Sequence, residues 1–311
     1  VKDDKTMVGE PMRSRVVLVT RLGSSLGLSG EHDGLTVADI RHPDAVETTI
    51  AGVHRGGELP IVTCAVADYE EVRTLVSYAS VRYPGLRTCI EPLPGGPLAV
   101  GVLSSLVDDI DDAEDGLAWQ LNAIDLLRAQ AWSATWLPSV AKSRNPNPSL
   151  WHHAMSWLPG SGFLTVHHPT PRIVRAPKAP ISGLDPLPET ALLHSRATQD
   201  TWVVDAVRQA LQPQSTSEMS SVRDQVDAHG TERAVELVAI PLAYHSDSRP
   251  VDVVDCLGCG LRHARPTCPV CGMSTDAPEL NDPAPTPLPE FDPETPVPAP
   301  SGSSAPEGDR E

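Results

Sequence analysis

Apolar residues in the first half of the chain come in short β-branched runs separated by helical spacings. Arg15-Val16-Val17-Leu18-Val19-Thr20 is a continuous apolar run, which predicts a strand covered on both faces. Further strands are expected at Leu35 to Ile40, Leu59 to Ala67 and Leu86 to Ile90, and a strand or the first turn of a helix at Leu98 to Leu103. Between them, His42-Pro43-Asp44 starts a short helix through Ala51. Tyr69 to Tyr83 places Val72, Leu75, Val76 and Ala79 on one face, with Asp68 and Glu71 as a capping box and Pro84-Gly85 as the stop. Strands alternating with helices predict an α/β layer with a largely parallel sheet.

After residue 110 the pattern changes. Leu117, Leu121, Ile124 and Leu127 recur at helical spacing, which predicts a helix from Asp111 to Leu137, in a region that also gathers five tryptophans. Gly162 to Val166 and Arg172 to Arg175 read as strands, and the proline-rich stretch 176–189 as a linker. Two helices are expected next, one with Val203, Val207 and Leu211 on a stripe, the other opened by Ser215 and Glu218 as a capping box and closed at Gly230. The implied organisation is α/β (α+β overall): a disordered start (1–14), an α/β domain (15–110), a helical and mixed region (111–175), the linker, a helical segment (190–249), a metal-binding module (250–275) and a disordered acidic, proline-rich tail (276–311).

Composition changes this picture little. The chain has 311 residues and a formal charge of −17, with acidic residues concentrated in the tail. Its body is only mildly acidic, so charge alone does not exclude a nucleic-acid partner. No apolar run approaches the roughly 18–20 residues that span a bilayer, so no membrane partner is expected. Cys64 and Cys89 sit among apolar residues and are expected as buried thiols.

The strongest chemical signal is Cys256-Leu-Gly-Cys259-Gly followed by Cys268-Pro-Val-Cys271-Gly. A Cys-x-x-Cys turn offers two sulfurs from one tight loop, and two turns complete a tetrahedral thiolate set. The following glycines permit the positive φ that turns backbone N–H groups toward sulfur. These two knuckles resemble the zinc-ribbon family, also called rubredoxin-like knuckles, over residues 256–272 alone. The resemblance implies structural Zn²⁺, with Arg262, His263 and Arg265 in the joining loop as contacts to nucleic acid or a protein. A disulfide pair, a rubredoxin-type iron site and a catalytic zinc are the rival readings. They are opposed, respectively, by the lack of a visible secretory signal, the lack of aromatic shielding and the full set of four ligands.

Other candidates are weaker. The loop Leu22 to Gly30 lies where α/β folds bind phosphate, which makes Gly23, Gly27 and the strand-ending Asp39 candidates for a nucleotide. Its glycine spacing matches neither the dinucleotide fingerprint nor a Walker A loop, and Ser24, Ser25 and Ser29 form no nucleophile elbow. The acidic run Asp108 to Asp112 with Glu114 and Asp115 reads first as charge facing a helix dipole and second as a Mg²⁺ site. The pairs His152-His153 and His167-His168 are candidates for a second metal site or for acid–base work. Together these readings predict a cytoplasmic zinc-ribbon adaptor or regulator contacting a protein or nucleic acid. A nucleotide-dependent enzyme and a scaffold component of a larger assembly are the alternatives. Oligomeric state and substrate are not encoded in any motif.

Overall fold

The computed structural model describes residues 13–21, 35–110, 115–140, 147–158, 162–176, 180–196, 200–219 and 229–275. Strands β1 (Ser14–Thr20), β2 (Thr36–Asp39), β3 (Leu59–Ala65) and β4 (Cys89–Leu93) form a parallel sheet in the order β2-β1-β3-β4. Its side chains alternate between two buried faces, which is why β1 reads as an unbroken apolar run. Val17, Val19, Val62 and Cys64 pack against Val46 and Ile50 of α1 (Pro43–Arg55) and Val72 and Val76 of α2 (Tyr69–Arg82). Val16, Leu18, Leu59 and Ile61 point the other way, onto α3 (Pro97–Asp108) and α4 (Gly116–Gln130).

A second sheet has the order β7-β6-β5-β10-β8-β9, built from β5 (Trp132–Leu137), β6 (Phe163–His168), β7 (Arg172–Arg175), β8 (Thr190–Ser195), β9 (Ser215–Met219) and β10 (Val235–Pro241). All its pairings are antiparallel except β8 with β9, which are parallel and joined through α6 (Trp202–Leu211). A parallel pair needs such a crossover. Val203, Val207 and Leu211 of α6 cover one face, against Trp132, Trp136, Leu192 and Leu237. Val238 and Ile240 on the opposite face join the core that holds α3 and α4, so these two helices lie between the sheets. The α/β class is as expected. A short helix α5 (Leu150–Ser156) precedes β6, and α7 (Tyr244–Asp247) follows β10.

Three local expectations are corrected. The helix predicted to Leu137 ends at Gln130, because Trp132 to Leu137 alternates between two buried faces and pairs with β6 and β10. Residues 215–219 form edge strand β9 rather than a helix start: Gln212 turns left-handed (φ 53°) and sends the chain back alongside β8. The region 190–249 is therefore mixed, not helical. Asp68 and Glu71 do not cap α2, since both bind Arg21, at 2.9 and 2.5 Å. The disordered start and tail expected at 1–14 and 276–311 lie, but for Arg13 and Ser14, outside the described residues.

Candidate functional site

The four cysteines converge. The hairpin of β11 (Val254–Asp255) and β12 (Arg262–His263) carries the first knuckle at its turn, and all four sulfurs lie within 4.8 Å of one another. Cys256 and Cys271 sulfurs are 3.3 Å apart, and Cys259 and Cys268 sulfurs 3.6 Å. Tetrahedral Zn–S bonds of about 2.3 Å place sulfurs about 3.8 Å apart, so the set fits one ion after small shifts of the sulfurs. The two knuckles repeat the same backbone pattern. Gly260 N–H donates to Cys256 O and Gly272 N–H to Cys268 O, with φ of 72° and 74° at the two glycines. Backbone N–H groups of Cys259 and Gly258 bring the Cys256 thiol down to about 6, whereas burial pushes the Cys259 thiol up to about 12 and the Cys268 thiol up as well. Among the described residues no other cluster of three or more His, Cys, Asp or Glu could hold an ion.

The side chains expected to contact a partner are turned to the protein itself. Arg265 binds Glu91 at 2.5 Å and Asp125 at 2.8 Å, and Arg262 binds Asp115 at 2.9 Å. Burial alone would lower the Arg265 pKa, but Glu91 and Asp125 outweigh it and hold the group above its usual value. His263 is fully buried rather than solvated, with both ring nitrogens lacking a protein partner. Arg87 donates to Cys259 O at 3.1 Å, which ties the first knuckle to the residues just before β4.

The remaining candidates also have structural occupations. Asp39 accepts a two-pronged contact from Arg41, and that hydrogen bonding lowers its pKa. Gly23 and Gly27 lie outside the described residues, as do Ser24, Ser25, Ser29 and 111–114. Asp108 accepts from Val16 N–H at 2.9 Å, which ties α3 to β1. Ser149 and His152 cap α5 reciprocally, and His167 meets Thr135 Oγ1 at 2.9 Å.

A second polar constellation escaped the motifs. On the face of the second sheet turned to α3, Ser195, Glu236, Thr135 and Thr165 stand opposite one another across β8, β10, β5 and β6, all at most 4% exposed. Ser133 adjoins this row, and the Ser133 and Thr165 hydroxyls lack a protein partner. Buried hydroxyls are normally satisfied, so two orphans in one patch stand out. The loop from β4 to α3 presses directly onto the row. A Cβ on Gly95 (φ 118°) would meet Ser133 Oγ at 2.9 Å, and one on Gly96 would meet Glu236 Oε1 at 3.1 Å. Here glycine is required by both conformation and space. Leu98 N–H, in the first turn of α3, donates to Glu236 Oε2 at 2.6 Å, and His229 binds the other carboxylate oxygen. A carboxylate thus sits at a helix N-terminus, where orphan N–H groups and the dipole favour an anion. Only the alternation of Ser133 and Thr135 between tryptophans hinted at this row in the sequence.

No protein-family model matches the chain, and no curated protein matches its sequence. Solved structures do match in fold. A DegV family protein from Corynebacterium glutamicum is 15% identical with a TM-score of 0.51, the match covering 74% of this chain and 97% of that one. A DegV family protein from Eubacterium eligens, loaded with heptadecanoic acid, is 10% identical at 0.51, covering 73% and 99%. A Thermotoga maritima protein whose structure is described as revealing a fatty acid binding function is 8% identical at 0.50, covering 74% and 100%. The chain therefore has a DegV-like α/β fold. This likeness, with the internal pairing of Arg262 and Arg265 and the burial of His263, overturns the reading of an adaptor that presents its ribbon to a protein or nucleic acid. Asp39, the carboxylate expected to serve a nucleotide, is already engaged by Arg41. No helix among the described residues is long and apolar enough to cross a membrane.

Proposed function

We propose that this chain binds a long-chain carboxylic acid between its two sheets, and that its four cysteines hold a structural Zn²⁺ away from that ligand. The observation that carries the first reading is the buried polar row facing the α3 N-terminus inside an otherwise apolar layer. An amphiphile needs one polar anchor and a long apolar surround. The Ser133 and Thr165 hydroxyls and the α3 N–H groups supply donors for a carboxyl group, while Leu98, Val102, Leu121 and Ile124 belong to the apolar layer around it. Glu236 accepts from Leu98 N–H with one carboxyl oxygen and meets His229 with the other, so a carboxyl group is already accommodated at this helix end. The fatty acids named for proteins of like fold support the same ligand class.

Zinc is supported by the sulfur geometry and by the absence of an open coordination position. A reducing, cytoplasmic compartment suits six cysteines with no disulfide among them. The test for the acid is solvent extraction of the purified protein, mass spectrometry of the extract, and titration of the delipidated chain with palmitic acid. A stoichiometric acid in the extract, or saturable binding weakened at least about tenfold by Gly96→Val, is expected. Delipidated protein that ignores palmitic acid would overturn the reading.

A further inference from the structure

Helix α5 is built the wrong way round for a globular surface. Leu150, Trp151, Ala154, Trp157 and Leu158 follow the i, i+1, i+4, i+7, i+8 spacing of one helical face, and all five are exposed. Leu150 is 90% exposed, Trp151 69% and Trp157 87%. The polar groups point inward: the His152 ring packs edge-on against Phe163, and Ser156 Oγ accepts from Val140 N–H. By contrast α6, with the same kind of apolar spacing, buries Val203, Val207 and Leu211 completely or nearly so. A contiguous apolar face left in water marks a surface that meets something else.

The charge around it is equally lopsided. Residues 126–184 contain not one Asp or Glu, and of the arginines described there Arg128 is taken up by Glu91 and Asp125, which leaves Arg172 and Arg175. All 41 acidic residues of this acidic chain lie elsewhere. Arg172 and Arg175 stand on β7, the sheet edge beside the strand that α5 enters, and Arg175 is exposed.

We propose that α5, with Arg172 and Arg175 of the neighbouring sheet edge, is a docking surface for an anionic lipid bilayer, lying in the headgroup plane without crossing it. Indole rings favour that plane because they combine an apolar body with one N–H donor. Leucine beside them adds buried apolar area, and lysine and arginine near an anionic surface each add attraction that salt screens. A polyanion such as nucleic acid would use the cations and leave the two leucines in water. A bilayer uses both. This inference stands on the α5 face and the charge segregation and is independent of acid binding at the polar row.

The test is flotation of the full chain with vesicles of phosphatidylcholine containing one third phosphatidylglycerol, and with pure phosphatidylcholine, at low and high salt. The chain is expected to float with the anionic vesicles, less so in high salt, with a blue shift in tryptophan emission. Trp151→Ser with Trp157→Ser is expected to cut partitioning at least about tenfold at unchanged melting temperature, because both indoles are exposed. A wild-type chain that stays down with anionic vesicles at low salt, or a double variant that floats as well as the wild type, would overturn the proposal. Self-association that the double variant abolishes, without vesicle binding, would instead assign the face to a second copy. Palmitic acid titration in solution is read separately, so either proposal can fail without the other.

Discussion

The cysteine hairpin and the polar row of the second sheet are both clusters of polar side chains, and they are held in opposite ways. The hairpin owns almost no core. Leu261, Cys256 and Cys268 are its buried apolar groups, and Arg265, gripping Glu91 and Asp125, fastens it to the body. The polar row belongs to a regular sheet whose register and opposite face fix it, while its hydroxyls remain partly unsatisfied. A cluster fixed by ligands and charges is complete and has no reason to bind more. One fixed by its scaffold, with donors to spare, is where a ligand fits. On the proposed reading, the motif-bearing region is the structural one and the region without a motif is the binding candidate.

Removing the metal is expected to break this comparison most severely. Apparent binding free energies of structural zinc are about 10–16 kcal/mol in isolated fingers, far above what two short strands provide. Elemental analysis should find one zinc per chain. Cys268→Ser, or a strong chelator, should abolish hydrogen-exchange protection across 254–275 while the two sheets keep theirs. Loss of protection in the sheets as well would mean the hairpin is part of the body's folding unit. Arg265→Ala should come next, costing about 2–4 kcal/mol because it strips the almost fully buried Glu91 of one of its two arginines. Denaturant unfolding of the zinc-loaded protein measures this, and a change under about 0.5 kcal/mol would place the pair with ordinary surface bridges.

Much of this architecture was legible in the sequence, for identifiable reasons. Val16 to Val19 announced a doubly covered strand because both faces demand apolar residues, and the Cys-x-x-Cys spacing announced the sulfur cluster because the turn itself fixes two ligands. Trp132 to Leu137 was misread because leucines at helical spacing run straight up to it with no glycine or proline between. Ser215 to Met219 was misread because a capping-box pattern is local, whereas β9 is created by pairing with β8, a contact no window of sequence contains. The arginines of the ribbon loop looked available because their acceptors, Glu91 and Asp125 for Arg265 and Asp115 for Arg262, lie 140 or more residues away. The polar row was invisible for the same reason: its members come from four strands, and each one alone is an ordinary serine, threonine or glutamate.

The smallest expected effect separates the two regions by pH. His168, opposite Ser133 across β5 and β6, is partly buried with its Nε2 unpartnered. Burial lowers its pKa from 6.5, against a smaller opposing pull from the Arg128 carbonyl. With the folded pKa below the unfolded one, the unfolded chain binds more protons between the two values, so stability falls as pH drops from about 6.5 through the folded pKa. A His168→Gln protein should lack that step while keeping its stability near pH 7. Thiolate metal sites also lose their ion to protons, so zinc content must be followed in the same samples. If the wild-type and His168→Gln curves stay parallel while zinc is retained, the imidazole is already at ease in either protonation state. The sheet would then be as tolerant of charge as the hairpin, and the contrast between the two regions would not hold at this position.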